Sequence, residues 1–170
     1  MRFCGLGGMG VVLSSVILGK AAIYDNKNAI QTQSYGPEQR GTRVKSDLII
    51  SDSDHISYPT EGKVDILVAF GNDAFQFYKD KVKKTGIYFI NSDLIKDINP
   101  TNFYNLIPAS SIADELKNNR LINIIMLGAL IKKTRIVSEK AIIKSISDSV
   151  PSRFKELNIK AYERGNGYLN

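Results

Sequence analysis

Histidine and cysteine are almost missing from this chain of 170 residues, where His55 and Cys4 are the only members of their kinds. One thiol forms no disulfide and no CxxC pair, and one thiol plus one imidazole do not make a soft-metal ligand set. A redox cluster held by thiolates would therefore have to sit on another chain. Cys4 falls in the first apolar run, where a free cysteine serves as a small buried hydrophobe rather than a nucleophile. His55 follows Asp52-Ser53-Asp54 in a polar turn and reads as a surface residue. Long apolar runs are also lacking. The nearest to one, Leu121 to Ile131, is interrupted by Asn123 and is shorter than the ~20 residues that cross a bilayer, so no membrane partner is expected. The chain enters a strand and a glycine turn within its first ten residues instead of a charged-then-apolar leader, which makes the cytoplasm the expected compartment.

What is present describes one folded domain. Hydrophobic residues make up 43% and charged residues 24%, with 13 Gly and 5 Pro, the proportions of a globular protein and not of a disordered one. A chain of this length builds a single core, so one domain over residues 1–170 is expected. The formal charge of +6 comes from cations scattered among acids, as in Asp80-Lys81-Val82-Lys83-Lys84, and not interleaved with aromatics. That pattern argues for solvated faces and against a nucleic-acid partner.

Arg2-Phe3-Cys4 reads as a short strand, Gly5 to Gly10 as a glycine turn, and Val11 to Tyr24 as a helix. Asn28 to Gln31 is extended, Ser34 to Gly41 is a loop by its Gly-Pro pair, and Arg43 to Ser51 alternates as a strand. Val64 to Phe70 is a strongly apolar strand. Asn72-Asp73 then offers caps for a helix over Ala74 to Lys84, with Phe75, Tyr78 and Val82 at helical spacing and Gly86 closing it. Ile87 to Ile90 and Tyr104 to Ile107 are further strands. Ser110-Ser111 caps a long helix from about Ile112 to Ile131, Ser138 caps one to about Ser147, and Pro151 opens a last one to Tyr162. Strands alternating with helices predict a three-layer α/β/α sandwich on a mostly parallel sheet. The strand at Arg43 to Ser51 follows a loop and not a helix, so it is a possible antiparallel member.

Gly5, Gly7 and Gly10 fit G-x-G-x-x-G between a strand and a helix, as in a Rossmann-like domain. Such glycines either bring backbone N–H groups at the helix N-terminus to a phosphate or let helix and strand pack closely. A dinucleotide site also needs an acid about 20 residues on, where this chain has Ile30-Gln31-Thr32-Gln33, so NAD is disfavoured. The Gly-Lys-Ser/Thr end of a P-loop is missing, as are a histidine beside a nucleophile, a GxSxG elbow and a placed pair of carboxylates. No catalytic residue is assigned, and no metal ligand. The chain reads as half a site.

Gly5-Leu6-Gly7-Gly8-Met9-Gly10-Val11-Val12, followed by Gln31-Thr32-Gln33-Ser34-Tyr35-Gly36-Pro37-Glu38-Gln39-Arg40-Gly41, resembles the gamma subunit of 2-oxoacid:ferredoxin oxidoreductases, in particular the 2-oxoglutarate type. The resemblance continues through Ser51-Asp52, Val64 to Ala69, Pro108-Ala109, Asn123 with Met126 to Leu130, and Asn158 to Tyr162, so it spans nearly the whole chain in order. It implies a cytoplasmic hetero-oligomer that decarboxylates a 2-oxoacid and releases an acyl-CoA. Thiamine diphosphate, magnesium and iron–sulfur clusters would sit on partner subunits, and ferredoxin would accept the electrons. The gamma chain would contribute to the coenzyme A side of the site and have no activity alone. Family loops read Gly-Gly-Gln-Gly where this chain has Met9, and have a second glycine where it has Thr42. A stand-alone nucleotide- or anion-binding protein and a purely structural subunit are the competing readings.

On this reading the ligand-binding residues are Gly7, Gly8 and Gly10, through backbone amides, and Arg40, as a fork-like cation for a phosphate or a partner carboxylate. Ser34, Tyr35, Gly36 and Gly41 belong to the same cofactor-binding set, the first three shaping the loop that reaches the active-site cleft. Tyr35 fits an interface anchor equally well. Asn123, alone in an apolar helix, reads as a buried amide with its hydrogen bonds satisfied.

Overall fold

The computed structural model describes residues 1–34, 42–53, 56, 62–96, 98 and 103–169. Its elements in chain order are β1 (Arg2–Leu6), α1 (Val11–Tyr24), β2 (Asn28–Ser34), β3 (Arg43–Ser51), β4 (Val64–Ala69), α2 (Asn72–Tyr78), β5 (Val82–Asn91), β6 (Tyr104–Ile107), α3 (Ala109–Glu115), α4 (Ile122–Thr134), α5 (Glu139–Ser149) and α6 (Lys155–Tyr168). The strands form one sheet in the order β2-β3-β1-β4-β5-β6. β4, β5 and β6 follow β1 in parallel, while β3 is antiparallel to both β2 and β1 and so alone runs against the rest. The residues between Ser34 and Arg43 are too few for a crossover helix, which leaves a reversing connection as the only route from β2 to β3.

Alternation along the strands separates two cores. Phe3, Val44, Leu48, Val68, Phe70, Phe89 and Ile107 face a layer made by α1, α4, α5 and α6, with α3 beside it. Cys4, Leu67, Ala69 and Ile90 face α2, which supplies Ala74, Phe75 and Tyr78. Cys4 is fully buried, as its setting in an apolar strand requires. The sandwich is lopsided, with many helices on one face and a short one on the other. α4 is buried from Asn123 to Ile131, and it crosses α6 at backbone contact. A Cβ on Gly128 would lie 2.2 Å from the Tyr162 carbonyl oxygen, and one on Gly165 would lie 1.9 Å from that of Ile125.

Two expected helices end differently. α2 stops at Tyr78, a 3-10 turn covers Lys79–Lys81, and Val82 already opens β5, so Gly86 lies inside a strand and closes no helix. The Phe75, Tyr78, Val82 spacing offers only three positions, too few to exclude a turn leading into a strand. Asn72 and Asp73 are helical residues rather than caps. Gly71 holds the N-cap position without a side-chain bond, and Asp73 pairs with Arg43 at 3.4 Å. The long helix from Ile112 to Ile131 is in fact α3 and α4, separated where Lys117 takes φ 55° and Asn118 is extended. Asn118 then caps the following turn by accepting from the Arg120 N–H at 3.1 Å. Pro108 stands at the N-cap of α3, while Ser110 and Ser111 lie within it. Ser138 caps α5 as expected, accepting from the Ala141 N–H at 3.2 Å.

One buried charge has no local signature. Arg2 is 2% exposed on the α2 face of β1, opposite Asp47 in the β1–β3 register. Its Nε and Nη2 donate to the two carboxylate oxygens at 2.6 and 2.8 Å, and its guanidinium lies 5.0 Å from the Tyr78 ring. The planar fork fits the carboxylate bidentately, which is what makes burial of the pair tolerable.

Candidate functional site

The glycine turn joins Leu6 at the end of β1 to Val11 at the start of α1. Gly8 and Gly10 take φ 95° and 75°, conformations that side-chain-bearing residues rarely adopt. The Met9 N–H donates to the Leu6 carbonyl at 3.2 Å, and that of Gly7 donates to the Thr42 carbonyl at 3.0 Å. This second bond ties the turn to the far end of the β2–β3 connection. Gly10 N-caps α1 with no side-chain bond, so the first-turn amides of a 14-residue helix stay unspent by any cap. With the Gly7 amide committed to Thr42, those of Gly8 and Gly10 have no acceptor among the described residues. Together they make a cluster of donors at the positive end of the helix dipole, suited to an anion.

The turn sits at the topological switch point. α1 follows β1 on one face and α2 follows β4 on the other, and β1 and β4 are neighbours, so a crevice opens beyond their carboxyl ends. Met9 fills it. Its thioether accepts from the Leu6 N–H at 3.3 Å and comes within van der Waals reach of Gly5 and Gly71. Further out, Arg43 ion-pairs with Asp73 and lies 4.2 Å from the Phe77 ring. The open side of the turn is therefore the other flank, a depression of ≈ 350 Å³ bounded by Gly7, Gly8, Gly10, Val12, Leu13 and Val44. Among the described residues its walls carry no charge and no nucleophile.

Behind Gly10 stands Asn123, in the first turn of α4. Its side chain occupies the place of the missing Cβ, which would lie 2.6 Å from Nδ2. The residue is 2% exposed and its Oδ1 has no hydrogen-bond partner. The expectation of a satisfied buried amide is corrected for Oδ1, which finds no donor among the described residues, the side chain being packed against Gly10, which brings no side chain of its own. Sequence reasoning noticed Asn123 but missed its place against the turn, which only the α1–α4 packing reveals.

Among the expected site residues, Gly7, Gly8 and Gly10 lie together. Ser34 ends β2, exposed and paired in register with Lys45, on the sheet edge where Leu6 pairs with Arg43. The connection that starts at Ser34 and finishes at Thr42 thus sets out from and returns to the edge that bears the glycine turn. Tyr35, Gly36, Arg40 and Gly41 lie outside the described residues, as does His55. Cys4 is no part of the site: it faces α2, and burial pushes its thiol up to about 12. No group of three or more His, Cys, Asp or Glu positioned for a metal occurs among the described residues. No described helix is long and apolar enough to cross a membrane. A second depression, between α3 and α6, is lined by Glu115, Glu163 and Arg164, of which Arg164 pairs with Glu115.

The anion-type turn at a switch point is set in context by comparisons with known proteins. The pyruvate ferredoxin/flavodoxin oxidoreductase family matches residues 1–168. The chain belongs to that family. It is 44% identical to the 2-oxoglutarate synthase subunit KorC of Methanocaldococcus jannaschii over 97% of this chain and 90% of that protein. The gamma subunit of a keto/oxoacid ferredoxin oxidoreductase from Geobacter sulfurreducens superposes with a TM-score of 0.84 at 38% identity, covering 96% of this chain and 94% of that one. The 2-oxoglutarate:ferredoxin oxidoreductase of Magnetococcus marinus, solved with 2-oxoglutarate, coenzyme A and succinyl-CoA bound, shares the fold at a TM-score of 0.85 and 24% identity. The match covers 98% of this chain and 30% of the Magnetococcus one. This chain is a gamma-type subunit of a multisubunit 2-oxoacid oxidoreductase. The mixed six-stranded sheet flanked by helices is the architecture of that subunit.

Proposed function

We propose that this chain serves an enzyme that oxidatively decarboxylates 2-oxoglutarate, transfers the acyl group to coenzyme A and passes the electrons to ferredoxin, with the glycine turn on the coenzyme A side of the shared site. Thiamine diphosphate with magnesium and iron–sulfur clusters, carried by partner subunits, supply the decarboxylation and electron-transfer chemistry. The work of this chain is to bind and orient. The amides of Gly8 and Gly10 and the first turn of α1 donate to phosphate oxygens of the incoming thioester carrier. Arg40 adds a bidentate cation from the connection that begins at Ser34, with Tyr35, Gly36 and Gly41 giving that connection its shape. Binding energy from a remote phosphate fixes where the reactive thiol arrives without this chain touching the bond that forms.

The observation that carries the reading is the pair of positive-φ glycines at the head of α1, with amides that have no acceptor among the described residues. Likeness to KorC subunits supports 2-oxoglutarate among the possible 2-oxoacids. The experiment is anaerobic purification of the tagged chain from its host. Larger subunits bearing thiamine diphosphate and iron–sulfur absorbance should come with it and oxidise 2-oxoglutarate only when coenzyme A is added. In that complex, Arg40→Lys should raise the coenzyme A KM at least threefold. A lone colourless protein would return the chain to the stand-alone anion-binding class.

A further inference from the structure

α1 departs from the pattern of α5 and α6, its solvent-facing neighbours in the same layer. The outward positions of α5 include Lys140, Lys144 and Asp148, and those of α6 include Glu156, Lys160, Glu163 and Arg164, all exposed. α1 has a single charged residue, Lys20, among its 14, and its outward face is otherwise apolar, where a solvated helix would carry a polar face. Yet Leu13 is 39% exposed, Ile23 54% and Tyr24 38%. At 100° per residue, Leu13, Val16, Lys20, Ile23 and Tyr24 fall within an arc of about 100°, so they form one stripe down the outer face. The stripe does not stop at the helix. Leu13, with Val12, also walls the depression beside Gly8 and Gly10.

Going beyond the coenzyme A reading but resting on membership in a multisubunit enzyme, we propose that the outward face of α1 is the docking surface for a partner subunit of the same oxidoreductase, one that presents an apolar strip with an acidic rim. The rim of this face fixes the charge. Lys20 lies on the stripe and Lys144 lies 4.2 Å from the Tyr24 ring, against the single carboxylate of Asp148, which accepts from the Tyr24 hydroxyl at 2.8 Å. A second copy of this chain carries the same formal charge of +6, so self-association through this face would bring two surfaces of like net sign together. A heterologous partner avoids that repulsion. In the Magnetococcus enzyme the same fold is 30% of a longer chain, so there the remaining polypeptide is covalently at hand to cover its faces. Because stripe and depression share Leu13, the docked subunit also forms the outer wall of the glycine-turn site.

The test uses the complex and a labelling probe that does not break it. Cys4 is fully buried, so Ile23→Cys adds the one reactive thiol of this chain. Maleimide should modify it at least tenfold more slowly in the assembled oxidoreductase than in the separated chain, while Lys160→Cys on α6 changes less than twofold. Separately, Leu13→Glu with Ile23→Glu should keep the thermal midpoint of the lone chain within a few degrees and cut recovery of the thiamine-bearing subunit at least tenfold. Equal labelling rates in complex and lone chain overturn the proposal while leaving the coenzyme A reading intact. So does a lone-chain dimer that the Glu variant dissociates while the complex persists. A wild-type chain that recovers no larger subunit overturns both.

Discussion

At Gly10 a residue without a side chain and a residue with an unsatisfied one share a single space. Gly10→Ala places a methyl 2.6 Å from Asn123 Nδ2 on a backbone at φ 75°, so it forces the amide aside as well as straining the turn. Overpacking of this kind costs about 1–3 kcal/mol. Urea midpoints should show Gly10→Ala destabilised by that amount and partly rescued by Asn123→Ala in the same chain. Simple additivity of the two changes would dissociate the turn from α4. The chemistry of Cys4 gives a second expectation. Burial raises the Cys4 thiol from its ordinary 9.0 and the Tyr162 hydroxyl from 10.0, each to about 12. Both are thus neutral in the fold over a range where the unfolded chain ionises. Their stabilisation is complete below pH 9 and is lost as pH rises towards 12. Thermal midpoints should fall across that window, less steeply in Cys4→Ala, and iodoacetamide should leave Cys4 untouched at pH 8 until denaturant is added. Burial of Cys4 was legible from its apolar strand. The partner of Arg2 was not, because Asp47 lies 45 residues away and only the β1–β3 register brings them together.

Among the elements, α4 and α6 meet with no side chain between them at two points, Gly128 and Gly165. Gly128→Ala would put a methyl 2.2 Å from the Tyr162 carbonyl oxygen, and helix backbones do not yield as a flexible side chain does. The variant should lose several kcal/mol, at or beyond the upper end of overpacking costs, and show a lowered urea midpoint. An exposed helical glycine, Gly167, has open space at the same test, and Gly167→Ala should be neutral or stabilising. Where local pattern and tertiary role coincide, boundaries were legible: α1 between its glycine turn and Asp25, β3 by strict alternation, β6 by a short apolar run. Where they diverge, they were not. The break at Lys117 has no glycine or proline beside it from Ala113 to Leu121, and β5 starts under Lys83, Lys84 and Thr85, which lack a strand pattern and are exposed.

Over the whole molecule, the antiparallel β3 is what makes the site two-sided. It returns the β2–β3 connection to the edge where β1 delivers its glycine turn, and the Gly7 to Thr42 bond locks one to the other. That convergence of Gly7, Gly8 and Gly10 with the end of β2 was legible as order in the chain, though the strand order that creates it was not. A site of this kind is all positioning. The isolated chain should therefore turn over no 2-oxoacid, and adding it to a preparation of the partner subunits should restore coenzyme A-dependent oxidation in proportion to the amount bound. Turnover by the chain alone would show a catalytic group that none of the described residues provides.

The packing of α1 against α5 also sets a schedule for synthesis. The buried Ser145 hydroxyl donates to the Ile17 carbonyl at 2.6 Å, across a separation of 128 residues. At ~5–20 residues per second, α1 leaves the ribosome roughly 6–25 s before the helix that covers its inner flank exists. The apolar flanks of this helix are therefore bare on the nascent chain for that interval, first for want of α5 and afterwards for want of whatever seats on its outer face. Newly made chains should be captured by chaperones through the α1 segment, and translating the partner subunits nearby should shorten the wait.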